Sequence, residues 1–443
     1  MKKLTLALAL ILSLSFAGHA QDETAPEGAG SAAAGDEAAK AFGASMMGGL
    51  GLTTIDGKVY YRVQLAPDLS LGKFGVGLDA DLLFNDQGIR KEDWSPSSRW
   101  VRVVRYLRWG QKRDKFYTRV GALDAATLGH GFLMYRYSNR IDDVERKIGL
   151  ELDLDVGQFG FESVVSNFGR AEIYGGRGYV RPLKRTEIPI IRNFEIGLTA
   201  VGDVDPDRGR GTDDGVSAFG FDLGQPLVNT SLLYTGLYFD VGKINKFGSG
   251  AAVGVAADLH LPGGVVDIGA KLEQRFLGKR FLPQYFDRFY EVERYNTIGG
   301  FPVWKTYTLG LIDESHNGTY GELTATLAGK LTIIGNYQYT YQVPKSGVLH
   351  FQTDLAKLVP RTELRAAYDH KGIGELADIG KKDENVLVTV EGGYEVYSHV
   401  MLYLTYLRTY EWRTRDEDNN PLPEPYYKAV EKFSPRLAVK FSF

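Results

Sequence analysis

The chain has 443 residues, no cysteine and a formal net charge of −3, which becomes −5 without Lys2 and Lys3 of its N-terminal leader. So weak an acidic excess gives no reason to expect nucleic acid as a partner. Without disulfides, an exported chain must draw its stability from packing or closed hydrogen bonding.

Met1, Lys2 and Lys3 open the chain, an apolar run follows from Leu4 to Ala17, and the small residues Gly18 and Ala20 precede Gln21. This pattern predicts a secretory signal peptide over 1–20. No Cys follows Ala20 to carry a lipid anchor. Beyond the leader no apolar run reaches ~18 residues, so no helix is expected to span a bilayer; membrane strands stay open as a solution, because they dilute apolar residues one for one with polar ones. Residues 21–46 are Ala-, Gly- and acid-rich and predict a disordered linker. Met46 to Asp56 is Gly-rich, and fits either packing in a barrel mouth or an extra strand.

From Lys58 onward the chain alternates. Phe74, Val76, Leu78, Ala80, Leu82 and Phe84 oppose Gly75, Gly77, Asp79 and Asp81. Side chains switch faces at every residue of a strand, so this reads as a strand with one oily face. Phe116 to Ala122 puts Tyr117, Arg119 and Gly121 on the polar side. A hairpin turns at Gly157-Gln158, with Glu151, Asp153 and Asp155 on one arm and Glu162 on the other. Later segments repeat the pattern, at Phe194–Ala200, Leu233–Val241, Val266–Leu272, Leu331–Tyr341 and Val400–Tyr406 among others. Pro262-Gly263-Gly264 and Gly329-Lys330 predict tight turns. The count is about twenty strands, range 18–22, in an all-β antiparallel up-and-down arrangement over 47–443, with a long loop at 276–318.

The chain ends FSPRLAVKFSF, with Phe433, Pro435, Leu437, Val439, Phe441 and Phe443 on one face. A final strand that stops on an aromatic residue resembles the closing strand of bacterial outer-membrane β-barrels. The resemblance implies a transmembrane barrel in the outer membrane of a diderm bacterium, with Phe441 and Phe443 forming the signal read by the barrel-assembly machinery. It also implies lipid as a partner and both termini in the periplasm. A soluble sandwich alternates in the same way, but about twenty strands in one unbroken series is large for a sandwich. In lipid, only a closed sheet pairs every backbone group.

Such a barrel has a polar interior. The inward set comprises Asp79, Asp81, Arg119, Glu151, Asp153, Asp155, Glu162, Glu195, Asp267, Lys271, Glu273, Glu363, Arg365, Glu391, Arg436 and Lys440. Charges in this number suit water or a plug that pairs with them, never a dry core. One reading is a porin-like passive channel for small hydrophilic solutes. The other is a non-channel surface barrel for structure or binding, with an outer-membrane hydrolase a further variant. Neither a GxSxG elbow nor a His-x-x-x-His spacing is present, so no catalytic residues are assigned. Gly129-His130-Gly131 reads as a structural turn.

Two loops stand out. In the long insertion, Tyr285, Phe286, Phe289 and Tyr290 fall at helical spacing. The segment predicts an amphipathic helix whose charged face is Asp287, Arg288, Glu291, Glu293 and Arg294. It would fold into the lumen as a constriction or cap the rim. Asp203, Asp205 and Asp207, with Asp214, match positions one, three, five and twelve of a calcium loop. Arg208 replaces the turn glycine and the flanks are strands, so a solvated hairpin loop fits better than a calcium site.

Overall fold

The computed structural model describes residues 43–55, 57–94, 103–112, 114–140, 147–170, 172–207, 214–298, 301–356, 358–381, 385–416 and 421–442. Residues 1–42, on which the expected leader and most of the expected linker fall, and Phe443 of the expected assembly signal lie outside them. Twenty strands form the wall. They are β1 (Gly43–Ile55), β2 (Lys58–Leu71), β3 (Phe74–Leu78 and, after Asp79, Ala80–Asn85), β4 (Val104–Trp109), β5 (Phe116–Gly121), β6 (Gly149–Asp155) and β7 (Phe159–Val165). Next come β8 (Ile173–Val180), β9 (Glu195–Asp203), β10 (Val216–Asn229), β11 (Leu233–Ile244), β12 (Ser249–His260) and β13 (Val266–Leu277). The last seven are β14 (His316–Leu327), β15 (Leu331–Thr340), β16 (Gly347–Ala356), β17 (Thr362–Ile373), β18 (Val386–Tyr397), β19 (Val400–Arg415) and β20 (Pro421–Ser442).

Each strand pairs antiparallel with the next, and β1 pairs with both β2 and β20, for example Leu50 with Val63 on one side and Leu437 on the other. The Gly-rich stretch near Met46 is therefore the closing strand, and it begins at Gly43 rather than 47. Its glycines have a steric reason. A Cβ on Gly51 would sit 2.4 Å from the Pro435 carbonyl oxygen and 3.0 Å from Arg436 Cα. Closure leaves no edge and pairs the ladder groups all round, the condition hydrocarbon imposes.

Polarity is inverted relative to a soluble protein. Along β13 burial alternates residue by residue: Leu272 is 56% exposed while Glu273 is 1% exposed. Leu198, Phe219, Leu237, Val253, Leu323, Phe351, Leu404 and Leu437 are likewise exposed, whereas Arg177, Asp222, Asp240, Lys271, Glu322 and Asp369 are buried. Burying unpaired charge while exposing aliphatic surface is unstable in water. It is stable when the outer solvent is lipid.

The two ends differ. At the end that holds Gly43 and Ser442 the connections are short, apart from 181–194. At the opposite end lie 86–103, 122–148, 204–215, 278–315 and 374–385. The long insertion is thus tighter than expected, because β13 runs on to Leu277 and β14 resumes at His316. Aromatic residues mark both ends of the outer face: Phe74, Trp109, Phe116 and Phe159 near the termini, Tyr61 stacked on Phe84 and the Tyr337–Tyr339–Tyr341 ladder near the long loops. Rings of this kind suit the lipid–water interface.

Candidate functional site

The inner wall is laced by cross-strand ion pairs. Arg62 forks onto Asp81 with Nε and Nη2 at 2.9 and 2.8 Å, and Gln64 donates to Asp79 at 3.0 Å. Arg436 donates to Glu391 at 2.7 Å, Lys440 to Glu363 at 2.9 Å and Arg365 to Asp354 at 3.1 Å. Arg177 on β8 reaches along the wall to Glu162 on β7, Glu195 on β9 and Asp222 on β10 at 3.0, 2.6 and 2.6 Å. Arg181 joins Asp155 to Glu195, and Lys271 and Arg275 share Glu273. Glu151 accepts from Lys112 and Tyr117, and Asp153 lies in register between Tyr117 and Glu162. Asp267 sits at the rim against His260, 2.9 Å away. All these groups stand on the face opposite the exposed aliphatic residues.

Two loops fold into this lumen. The first, 122–148, was not recognised from sequence as more than a turn. Its residues 122–140 run into the interior. Gly129 N–H donates to Glu162 on β7 at 2.8 Å, His130 Nδ1 lies 3.2 Å from Asp240 on β11, and Lys271 on β13 donates to the His130 carbonyl. Farther on, Tyr135 donates to Glu322 on β14 and Arg136 to Gln352 on β16. The His130 ring stacks on Tyr238 at 4.4 Å between centroids. Burial pulls the His130 pKa down, but the charge and hydrogen bond of Asp240, with Asp222 beyond it, outweigh that and raise it. Gly129 makes the approach possible: its φ is +56°, and a Cβ there would press on Arg177 at 2.9 Å.

The second loop, 278–315, lies under the same roof. It is not an amphipathic helix. Across the predicted stretch only Tyr290–Glu293 completes a helical turn; a hairpin of Tyr295–Ile298 and Phe301–Trp304 follows, and then a second short helix, Lys305–Gly310. The expected period fails because Tyr285, Phe286 and Tyr290 bury against the first loop from several directions instead of lining one stripe. Gln284 N–H donates to the Phe132 carbonyl, Phe286 N–H to Leu133 and Tyr135 N–H to Phe286, at 2.7, 3.1 and 3.1 Å.

Its charges are tied down. Arg288 meets Asp369 on β17 at 2.9 Å. Asp287 and Glu293 are shared between Lys305 and Lys371. Arg294 meets Glu172 and Asp203 at 2.5 and 3.2 Å, and Lys147 meets Glu291 at 2.6 Å. Although burial raises the Glu291 pKa, Lys147 and Arg294 reverse this and hold it at about 2.

Between the loops and the β5 wall lies a polar cluster open to the interior. Asp124 accepts from Arg119 at 2.9 Å and from Arg140 at 3.2 Å, and Arg288 contributes its charge nearby. At the loop end, carboxylate oxygens of Asp205, Asp207 and Asp214 lie within 4.8 Å of one another. Asp203 stands apart from them, accepting from Arg294 and Tyr290, while Asp205 is paired with Arg170 and Asp214 accepts from Trp304 at 2.8 Å. Phe441 stacks on His399 at 5.4 Å between centroids.

A closed sheet with a lipid-compatible exterior and a charged interior fixes the class. The chain is an outer-membrane-type β-barrel. No family model and no curated protein matches the sequence. Among solved structures it is similar to the outer membrane protein opdK of Pseudomonas aeruginosa, at 12% identity and a TM-score of 0.31 over 91% of this chain and 99% of that one. It is similar also to OccK2 (OpdF) of Pseudomonas aeruginosa, solved with glucuronate, at 12% identity and 0.32 over 91% and 98%. CdiB of Acinetobacter baumannii gives 8% and 0.27 over 90% of this chain, which spans 60% of CdiB. Similarity at this level transfers neither substrate nor residue roles.

Proposed function

We propose that this barrel is a porin-like passive channel for small hydrophilic solutes, with both termini in the periplasm and the long loops outside the cell. The observation that supports it is uneven burial across the interior. Charged groups beneath the inward loops are sealed, with Arg177 at 2% exposure. On the β2–β5 side they keep solvent contact, as in Arg105 at 34%, and so do Arg140 on loop 122–148 and Arg365 near the terminal end of β17, whose side chains are 33% and 37% exposed. Such a gradient supports an off-centre pathway narrowed by loops 122–148 and 278–315. Its lining would be the mixed-charge set that runs from Asp124, Arg119, Arg140 and Arg288 past Arg62–Asp81 to Arg365–Asp354. Alternating charge lets a hydrated solute exchange water for wall contacts without a deep trap.

A second reading has its own support. The two loops interlock around Met134, Tyr137, Phe286 and Tyr290, all 0% exposed. A lumen closed in that manner fits a surface barrel that binds or stiffens and does not conduct. Conductance of the purified protein in a planar bilayer separates the two: discrete opening steps support the channel, and a silent membrane at high protein load rejects it.

A further inference from the structure

The exception to short turns at the terminal end is residues 181–194, between β8 and β9, and this segment does not fold over the barrel mouth. Gln225 on β10 shares the outward face with Phe219 and Phe221, and its Nε2 donates to the Ile190 carbonyl at 2.5 Å. The segment therefore lies along the outside of the wall, ending in the short turn Ile191–Asn193. Ile188 and Ile190 are 56% and 55% exposed, at the same end of the barrel as exposed Phe159 on β7 and exposed Leu227, Val228 and Leu232 on and after β10. They continue the apolar belt at its lower margin.

The same stretch, RPLKRTEIPIIR, carries Arg181, Lys184, Arg185 and Arg192 against Glu187 alone. Arg181 turns inward to Asp155 and Glu195. Lys184 Nζ donates to Asn193 at 2.8 Å. Partial burial and then the charges of Arg181 and Arg192 lower its pKa, so cations converge here. Arg185 and Arg192 have no ion-pair partner among the described residues. Apolar side chains at the acyl boundary with a basic cluster beside them form the arrangement that seats a protein segment on an anionic bilayer surface.

We propose that residues 183–192 are a membrane-surface anchor that binds the headgroup of an anionic phospholipid, with Lys184, Arg185 and Arg192 around its phosphate and Ile188 and Ile190 against its chains. This rests on the barrel spanning a bilayer and is independent of whether the lumen conducts.

The test is native mass spectrometry of the full chain in zwitterionic micelles, titrated with phosphatidylglycerol or with phosphatidylcholine of the same chains. Wild type should retain phosphatidylglycerol adducts in preference. The triple variant Lys184→Gln/Arg185→Gln/Arg192→Gln should bind it about tenfold more weakly or worse. Ile188→Ser/Ile190→Ser should also lose adducts with the charges intact, and heat-modifiable gel migration verifies that each variant is folded. Equal retention of the two lipids, or wild-type retention by both variants, overturns the proposal. So does complete displacement of the lipid by inorganic phosphate, which would make the site one for the free ion.

Discussion

Met134 and Phe286 pair as a parallel β-bridge inside the barrel, one from each inward loop. Both are fully buried in the same apolar cluster. The bridge makes the two loops one body, so a change in either should be felt by both.

Phe286→Ala should therefore destabilise the constriction as a unit. A truncated buried Phe costs about 3–5 kcal/mol when its site cannot collapse. The loss should appear as faster hydrogen exchange in residues 126–137 as well as in 281–294, with strand amides unchanged. Exchange confined to 281–294 would show that the loops are independent.

Arg177 is the cation that Glu162, Glu195 and Asp222 share, with Glu195 paired also to Arg181. Arg177→Gln leaves three carboxylates with reduced compensation, and breaking a buried ion network costs about 3–5 kcal/mol. Urea unfolding of the barrel in vesicles should show it. Arg177→Lys should recover only part, since an ammonium cannot reproduce the fork on Asp222.

The His130–Asp240 contact predicts a pH dependence on the alkaline side. The His130 pKa is raised from its ordinary 6.5, so the pair's stabilisation is complete below 6.5 and is lost as pH rises through the raised value. Asp240, Asp222, Arg177 and Lys271 are the charges that face the ring or its backbone. After correction for intrinsic rates, amides of 128–136 should exchange faster at about pH 9 than at about pH 6. His130→Gln should remove that difference.

Glu291 behaves in the opposite sense. Its pKa falls from 4.5 to about 2, so its stabilisation is present above 4.5 and drains away as pH falls toward 2. Intrinsic tyrosine fluorescence should report loosening around Tyr137 and Tyr290 in that acid window. Glu291→Gln should remove the acid transition while lowering stability at neutral pH.

How much of this the residue pattern revealed depends on what each segment buries against. Val266 to Leu272 was legible because lipid and lumen impose a strict period of two on it, although the strand runs on to Leu277. Met46–Asp56 was ambiguous, and Gly43–Ser45 fell in the expected linker, because β20 crowds Gly49 and Gly51 where a strand pattern would want side chains. Loop 122–148 left almost no periodic trace, because Leu128, Phe132, Met134 and Tyr137 pack on residues from the other insertion, far along the chain. Its readable signal was Gly129 and Gly131 flanking His130, with φ of +56° and +86°. The Tyr285–Arg294 spacing misled for the same reason: burial on several sides mimics a stripe without requiring a helix. The acidic 203–214 stretch matches a calcium loop in spacing but reads better as a solvated hairpin, and spacing alone does not show that Arg294 from the other insertion pairs with Asp203.

In the channel reading, Asp124 sets selectivity near Arg119, Arg140 and Arg288. Asp124→Asn removes the anion that Arg119 and Arg140 share, and a unit charge at close range in water-like surroundings is worth about 1 kcal/mol. Reversal potentials in a salt gradient should shift toward anions, by on the order of fivefold in permeability ratio. Arg140→Gln should shift them the other way.

The central claim is that adjacent wall residues face opposite solvents, and that the inner one borders a wet path. Because the chain has no cysteine, single substitutions report cleanly. Leu364 and Arg365 are neighbours on β17, the first exposed on the outer face and the second paired inside with Asp354. The deciding measurement is planar-bilayer current during treatment with a charged, membrane-impermeant thiol reagent, on Leu364→Cys and Arg365→Cys in parallel. The account predicts a stepwise block for Arg365→Cys and an unchanged current for Leu364→Cys. Equal responses at the two positions, or no current from either protein, would contradict it.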